Sequence, residues 1–311
     1  MKRLRSRKKE RLVQKFHEHL LLRNFTPATI TSYTTHVRAY LDTLNGKCVK
    51  KVSRPDIEAY IASLYDHKTK QGSPYSMNTI IVKVRALKRF FEFLETGNEV
   101  LMNPAEFISI PKEPETLPRE ILTAGEIRAM LDVPDLSTFK GVRDRAILEV
   151  LYSTGIRRQE LLNLEIFDPD FEEALLRINK GKGQKDRVVP LGKHAVKFLT
   201  AYLTRVRPRY AWKRPGNRKL FIDRYGNPLS RQMVLVIVRT CASEAGIRKQ
   251  VSPHTFRHVF AFTMLKNGAD VLAVKEMLGH KDLKATQRYV RALSHDLKAA
   301  HKRTHPRETE T

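Results

Sequence analysis

The chain has 311 residues, 41% of them hydrophobic, which is long enough for two domains and apolar enough to bury cores, so wholesale disorder is excluded. A formal net charge of +25 makes phosphate-rich partners attractive through counterion release, although DNA binders, RNA binders and membrane-surface proteins all share such a balance. Cys48 and Cys241 are the only cysteines, no apolar run reaches the roughly eighteen residues of a membrane span, and the basic start lacks a secretory h-region; these exclude a disulfide framework and a zinc ribbon and point to a reducing, cytoplasmic compartment.

Residues 1–11, MKRLRSRKKER, form a basic tail, either solvated or an arm that touches phosphate. From 12 to 103 the three-or-four spacing of apolar residues predicts a domain of four helices. Their stripes are Leu12, Phe16 and Leu20; Ile30, Tyr33, Val37, Leu41 and Leu44; Ile57, Tyr60, Ile61 and Leu64; and Ile80, Val84, Leu87, Phe91 and Leu94. Ser53 followed by Pro55 marks the start of the third. Lys83, Arg85, Lys88 and Arg89 are placed on polar faces, and beside the rest of the chain a DNA-facing role is preferred to plain solvation.

Pro104, Pro111, Pro114 and Pro118 predict a stiff linker over 104–120 and a second domain over 121–311. That domain opens on a capping box, Thr123 with Glu126. A helix through Ala146 to Tyr152 stops at Gly155, and a second holds Leu161, Leu162 and Leu164. Ala174, Leu176 and Ile178 alternate with polar neighbours, and Val188 and Val189 follow a Gly-rich turn, which is the pattern of a hairpin. Helices are then expected near 193–206, 230–244, 253–266, 270–278 and 282–292, with a short one after Asp296. The expected class is mainly α with a small β-hairpin, α+β.

Four segments could carry chemistry. In Ser252-Pro253-His254-Thr255-Phe256-Arg257-His258 the cap and proline start a helix, and His254 and Arg257 share one face near its N-terminus, where an anion such as phosphate is favoured. The competing reading makes His254 and His258 metal ligands, but the pair lacks the Glu of HExxH; packing is the simpler role for His258. Arg157 follows Gly155 and could be surface charge or be braced toward a phosphate by Glu160, one turn on. Lys182 sits between Gly181 and Gly183 at a hairpin tip, either a basic turn or a proton donor reaching into a site. Gly279 closes a helix, His280 follows on an exposed connection, and Tyr289 lies on the next helix, where an ordinary core tyrosine is the bland alternative.

Taken in order, YSTGIRRQELLNL (152–164), GKGQKDRVVPLG (181–192), SPHTFRH (252–258), GADVLAVKEMLGH (268–280) and ATQRYV (285–290) resemble the tyrosine recombinase, or phage integrase, family, most closely its Xer-like branch. The resemblance implies a helical core-binding domain and a catalytic domain, with Arg157 and Arg257 gripping the scissile phosphate of duplex DNA. Around the nucleophile Tyr289, His254 would handle the tyrosine proton, Lys182 would protonate the departing 5′-oxygen and His280 would donate to a phosphate oxygen, with Glu160 supporting Arg157. None of these positions departs from the family pattern. The reaction would pass through a 3′-phosphotyrosine and need neither metal, ATP nor cofactor.

The family also implies a homotetramer on DNA, or one shared with a related recombinase, exchanging segments after about residue 296. With no additional N-terminal domain in this chain, recognition of core sites only is expected. A type IB topoisomerase would share the nucleophile and arginines but relax any supercoiled plasmid. A catalytically idle DNA binder would have no use for an exposed Tyr289.

Overall fold

The computed structural model describes residues 2–69, 72–112, 122–179 and 186–280, together with 283, 286, 287 and 289. The chain divides into two compact units, Met1–Glu115 and Thr116–Thr311.

In the first unit α1 (Lys2–Leu22) continues through the basic start without a break, so residues 2–11 are helix rather than a separate tail. Lys and Arg are good helix formers, and no Pro or Gly interrupts the run before Pro27. Thr26 caps α2 (Pro27–Thr43) with proline in its first turn, and Ser53 with Asp56 caps α3 (Arg54–Asp66). Ser76 caps α4 (Met77–Thr96). Phe16, Leu20, Ile30, Val37, Tyr40, Ile57, Val84, Phe90 and Phe91 close the core between them. Each large side chain so buried is worth about 1.5–3 kcal/mol.

The basic residues of α4 do not form the free surface expected of them. Lys83 is 7% exposed, its ammonium 4.7 Å from the centre of the Tyr75 ring, and burial lowers its pKa. Lys88 donates to the carbonyls of Ala105, Glu106 and Ile108, and Arg89 pairs with Glu92. Arg85 is exposed. The apolar stripe of α4 is wide enough to take in Lys83. The chain segment just after Asn103 turns back over Lys88.

That same segment shifts the expected linker. Ala105 and Ile108 are buried in the first core, so 104–112 packs on the first unit. Residues 113–120, the rest of the proline-rich stretch, lie outside the described residues.

The second unit is built around α6 (Phe139–Thr154), whose residues are buried on nearly every side. Against it pack α5 (Ala124–Asp132), α8 (Lys193–Ala201) and α11 (Pro253–Lys266). The Thr123 and Glu126 capping box forms as expected. α7 (Arg158–Asn163) follows α6, and α8 continues through a π-type turn over Tyr202–Val206 into α9 (Arg207–Ala211), where one helix was expected. Next come α10 (Arg231–Glu244) and α12 (Val271–Leu278).

The hairpin is β2 (Leu175–Ile178) with β3 (Arg187–Pro190), antiparallel with Leu176 opposite Val189. A short β1 (Pro169–Asp170), not anticipated from the pattern, adds a third strand beside β2. Two residues are too few to show alternation. The expected helix over 282–292 falls mostly outside the described residues, although Thr286, Gln287 and Tyr289 are helical. The helix after Asp296 lies wholly outside them.

Gly155 is where α6 must turn without a side chain. It ends the helix at φ 60°, and a Cβ there would stand 2.5 Å from Cδ1 of Phe260 on α11. Gly155→Ala is expected to lose about 2–5 kcal/mol of stability, from the left-handed strain and the overpacking together, in urea or thermal unfolding.

Candidate active site

Three backbone carbonyls in succession at the C-terminal end of α12 each accept a bond from a different guanidinium. Arg187 Nε reaches the Met277 carbonyl at 2.7 Å, Arg257 Nη2 that of Leu278 at 2.7 Å, and Arg157 Nη2 that of Gly279 at 3.1 Å. The last carbonyls of a helix have no intrahelical partner and carry the negative end of its dipole, so cations belong there. Gly279, left-handed at φ 63°, turns the chain as expected.

Arg257 is 1% exposed and fixed a second time, by Nη1 to the Gly155 carbonyl at 2.9 Å. Burial and the nearby Arg157 charge bring its pKa down to about 10, so it stays cationic at neutral pH. Arg157 is more open and caps the start of α7 with Glu160. The Glu160 carboxylate accepts from the Arg157 amide at 2.8 Å and its guanidinium at 2.9 Å, and from Arg187 through both oxygens at 3.0 and 2.8 Å. Burial pushes the Glu160 carboxyl up, but the Arg187 and Arg157 hydrogen bonds and charges outweigh it and bring it down to about 2.

A carboxyl held below its free value of about 4.3 stabilises fully above that value, and loses the effect as pH falls towards about 2. Glu160→Gln strands the buried Arg187 charge and is expected to cost on the order of 3 kcal/mol at pH 7. In urea unfolding the gap to wild type should narrow steadily between pH 4.5 and 2.5 (about the span of the two values above). A gap independent of pH would contradict this.

Arg187 was not singled out in the sequence, although it lies inside GKGQKDRVVPLG. Its signal was the strand's alternation: it shares the inward face of β3 with buried Val189, and an inward arginine requires a carboxylate.

Two histidines of α11 and the tyrosine that meets one of them form a second group. Ser252 caps α11 with Pro253 in its first turn. Exposed His254 and half-buried His258 stand edge to face with ring centres 4.6 Å apart. His258 Nδ1 lies 2.6 Å from the Tyr289 hydroxyl, so this side chain does more than pack. Tyr289 is 5% exposed, among Phe260, Ala261, Val274 and Leu278, not exposed as expected. The ring is apolar and belongs in that cluster, while its oxygen needs a polar partner and finds one on α11. An ionised Tyr289 would be the smallest of the influences on Arg257, raising its pKa.

His280 is half-buried, its Nδ1 2.9 Å from the hydroxyl of fully buried Thr286, where an exposed connection was expected. Lys182 lies outside the described residues. Among the described residues no group of three or more His, Cys, Asp or Glu side chains is placed to hold a metal, and no helix is long and apolar enough to cross a membrane.

Residues 120–295 match the model of the phage integrase family, and residues 12–98 that of the phage integrase N-terminal SAM-like domain. The chain belongs to the phage integrase family. Within it the chain is an Xer-like tyrosine recombinase. It is 35% identical to tyrosine recombinase XerC 2 of Ralstonia nicotianae over 95% of this chain and 86% of that one. It is 34% identical to tyrosine recombinase XerD of Staphylococcus aureus over 90% of this chain and 92% of that one. The fold is also that of the XerH site-specific recombinase solved in a post-cleavage complex with palindromic difH substrate. That match has a TM-score of 0.73 at 23% identity over 90% of this chain and 81% of the other.

Proposed function

We propose that the chain cuts and rejoins duplex DNA at a specific site through a covalent bond between Tyr289 and a 3′-phosphate. What supports this reading most is the pair of guanidiniums, Arg157 and Arg257, locked to successive carbonyls of one helix end while Tyr289 bonds to the residue beside Arg257. Attack on phosphorus spreads negative charge over the non-bridging oxygens. A guanidinium has five donors in a rigid fork, so each arginine can keep its carbonyl bonds and still present donors to that charge.

A phenol with an ordinary pKa of about 10 is a weak nucleophile, so it needs cations beside it and a group to receive its proton. The histidines of α11 are placed for proton transfer, and exposed His254 and half-buried His280 are suited to meet phosphate oxygens. Lys182 at the hairpin tip is assigned the proton for the departing 5′-oxygen. Glu160 holds Arg157, and Arg187 holds Glu160. The phosphodiester energy is kept in the protein–DNA bond, so rejoining to a different 5′-hydroxyl needs no ATP.

The N-terminal unit, with 12–98 on the SAM-like model, is assigned to core-site binding and the second unit to catalysis. Two duplexes each cut twice call for four protomers, and residues after 296 are the candidate exchange segment. The setting is the cytoplasm, where thiols such as exposed Cys48 stay reduced. The direct test is strand exchange between two labelled duplexes carrying paired inverted repeats, run in EDTA without ATP. Recombinant duplexes are expected. Relaxation of plasmids lacking any such site, with no exchange, would favour a topoisomerase instead.

A further inference from the structure

We propose that His258 is itself a catalytic residue: its Nδ1 takes the Tyr289 proton as the phenol attacks phosphorus. This rests on Tyr289 being the nucleophile. The hydroxyl and Nδ1 are 2.6 Å apart, within the range in which a general base takes a proton directly. In the neutral ring, Nδ1 accepts when the other nitrogen carries the proton.

The neighbours support this placement over simple packing. His258 directly follows Arg257 on α11, so one rigid helix carries both the phosphate-gripping guanidinium and the proton acceptor. A movement that carries Tyr289 towards a phosphate held by Arg257 therefore keeps it in the neighbourhood of His258. His254, one turn earlier and exposed, stands at the helix N-terminus where anions are favoured, which suits it to a phosphate oxygen. The two rings, 4.6 Å apart, divide the labour: His254 faces the phosphate and His258 the phenol.

The step balances. The bond from the tyrosine oxygen to phosphorus forms as the bond from phosphorus to the 5′-oxygen breaks. The phenol proton passes to Nδ1 of His258, and the 5′-oxygen leaves as a hydroxyl after receiving a proton, the role assigned above to Lys182. Rejoining runs the same transfers in reverse, with His258 returning its proton to the tyrosine.

The test uses full-length protein on a nicked suicide substrate, with single-turnover formation of the covalent complex and gel-shift affinity measured together. In His258→Asn an amide atom takes approximately the place of Nδ1 and can hold the phenol but cannot act as a base. This variant is expected to bind DNA within about threefold of wild type and cleave about 10²–10⁴-fold more slowly. His258→Ala should be equally slow and recover at least about tenfold in added imidazole, a response that a purely structural role would not give. Cleavage by His258→Asn at the wild-type rate would overturn the proposal, as would an Ala variant that imidazole leaves unchanged. If Tyr289→Phe still formed the covalent complex, the nucleophile assignment itself would be the part that failed.

Discussion

Tyr289→Phe, which removes a single oxygen, is expected to lower covalent protein–DNA complex on suicide substrates by at least about 10⁴-fold. Gel-shift affinity for the same DNA should stay within about threefold. The ring's packing against Phe260, Val274 and Leu278 survives the change, and the His258 hydrogen bond that is lost is worth about 1 kcal/mol. Binding belongs to a basic surface and two arginines that the substitution does not touch. A variant that lost DNA affinity along with cleavage would point to a structural tyrosine.

Arg257→Lys is the second large effect, because it keeps the charge and removes the geometry. The guanidinium spans the carbonyls of Gly155 and Leu278, joining the end of α6 to the end of α12. An ammonium on a flexible stem cannot hold both while presenting a planar fork to phosphate. One buried carbonyl is left without a donor, at about 1–3 kcal/mol of stability. Cleavage should fall by about 10³–10⁵-fold, the range seen when a charge-stabilising arginine is lost from phosphoryl transfer. Circular dichroism at the assay temperature separates the two: a folded variant that cleaves at near wild-type rate would remove Arg257 from the phosphate grip.

The helices of both units were legible because their stripes are long and their ends marked: Ser53 with Pro55, Thr123 with Glu126, Ser252 with Pro253, and Gly155 and Gly279 as left-handed stops. What periodicity could not supply was anything set by distant partners. Arg187 gains its meaning from Glu160, 27 residues back, and Met277, 90 residues on. His258 gains its meaning from Tyr289, 31 residues on. Lys83 looked like surface charge because its stem lies beside an apolar stripe and its ammonium meets an aromatic ring from another segment.

The tyrosine's burial has the same origin. No local pattern says that Val274 and Leu278 of α12 close over it beside Phe260 of α11. The six residues named from the motifs were readable as a set through resemblance; single segments had left each of them open between chemistry and surface or core. For the two arginines among them the geometry adds a reason. Arg157 and Arg257 meet at one helix end, with Glu160 and Arg187 as braces.

Protease digestion of the covalent complex, followed by mass spectrometry of the nucleotide-bearing peptide, tests the chemistry most directly. Expected is a single modified peptide carrying a phosphodiester on Tyr289, linked to the 3′ end of the cut strand, with a free 5′-hydroxyl on the other fragment. A nucleotide attached to any other side chain, or linkage through a 5′-phosphate, would contradict it.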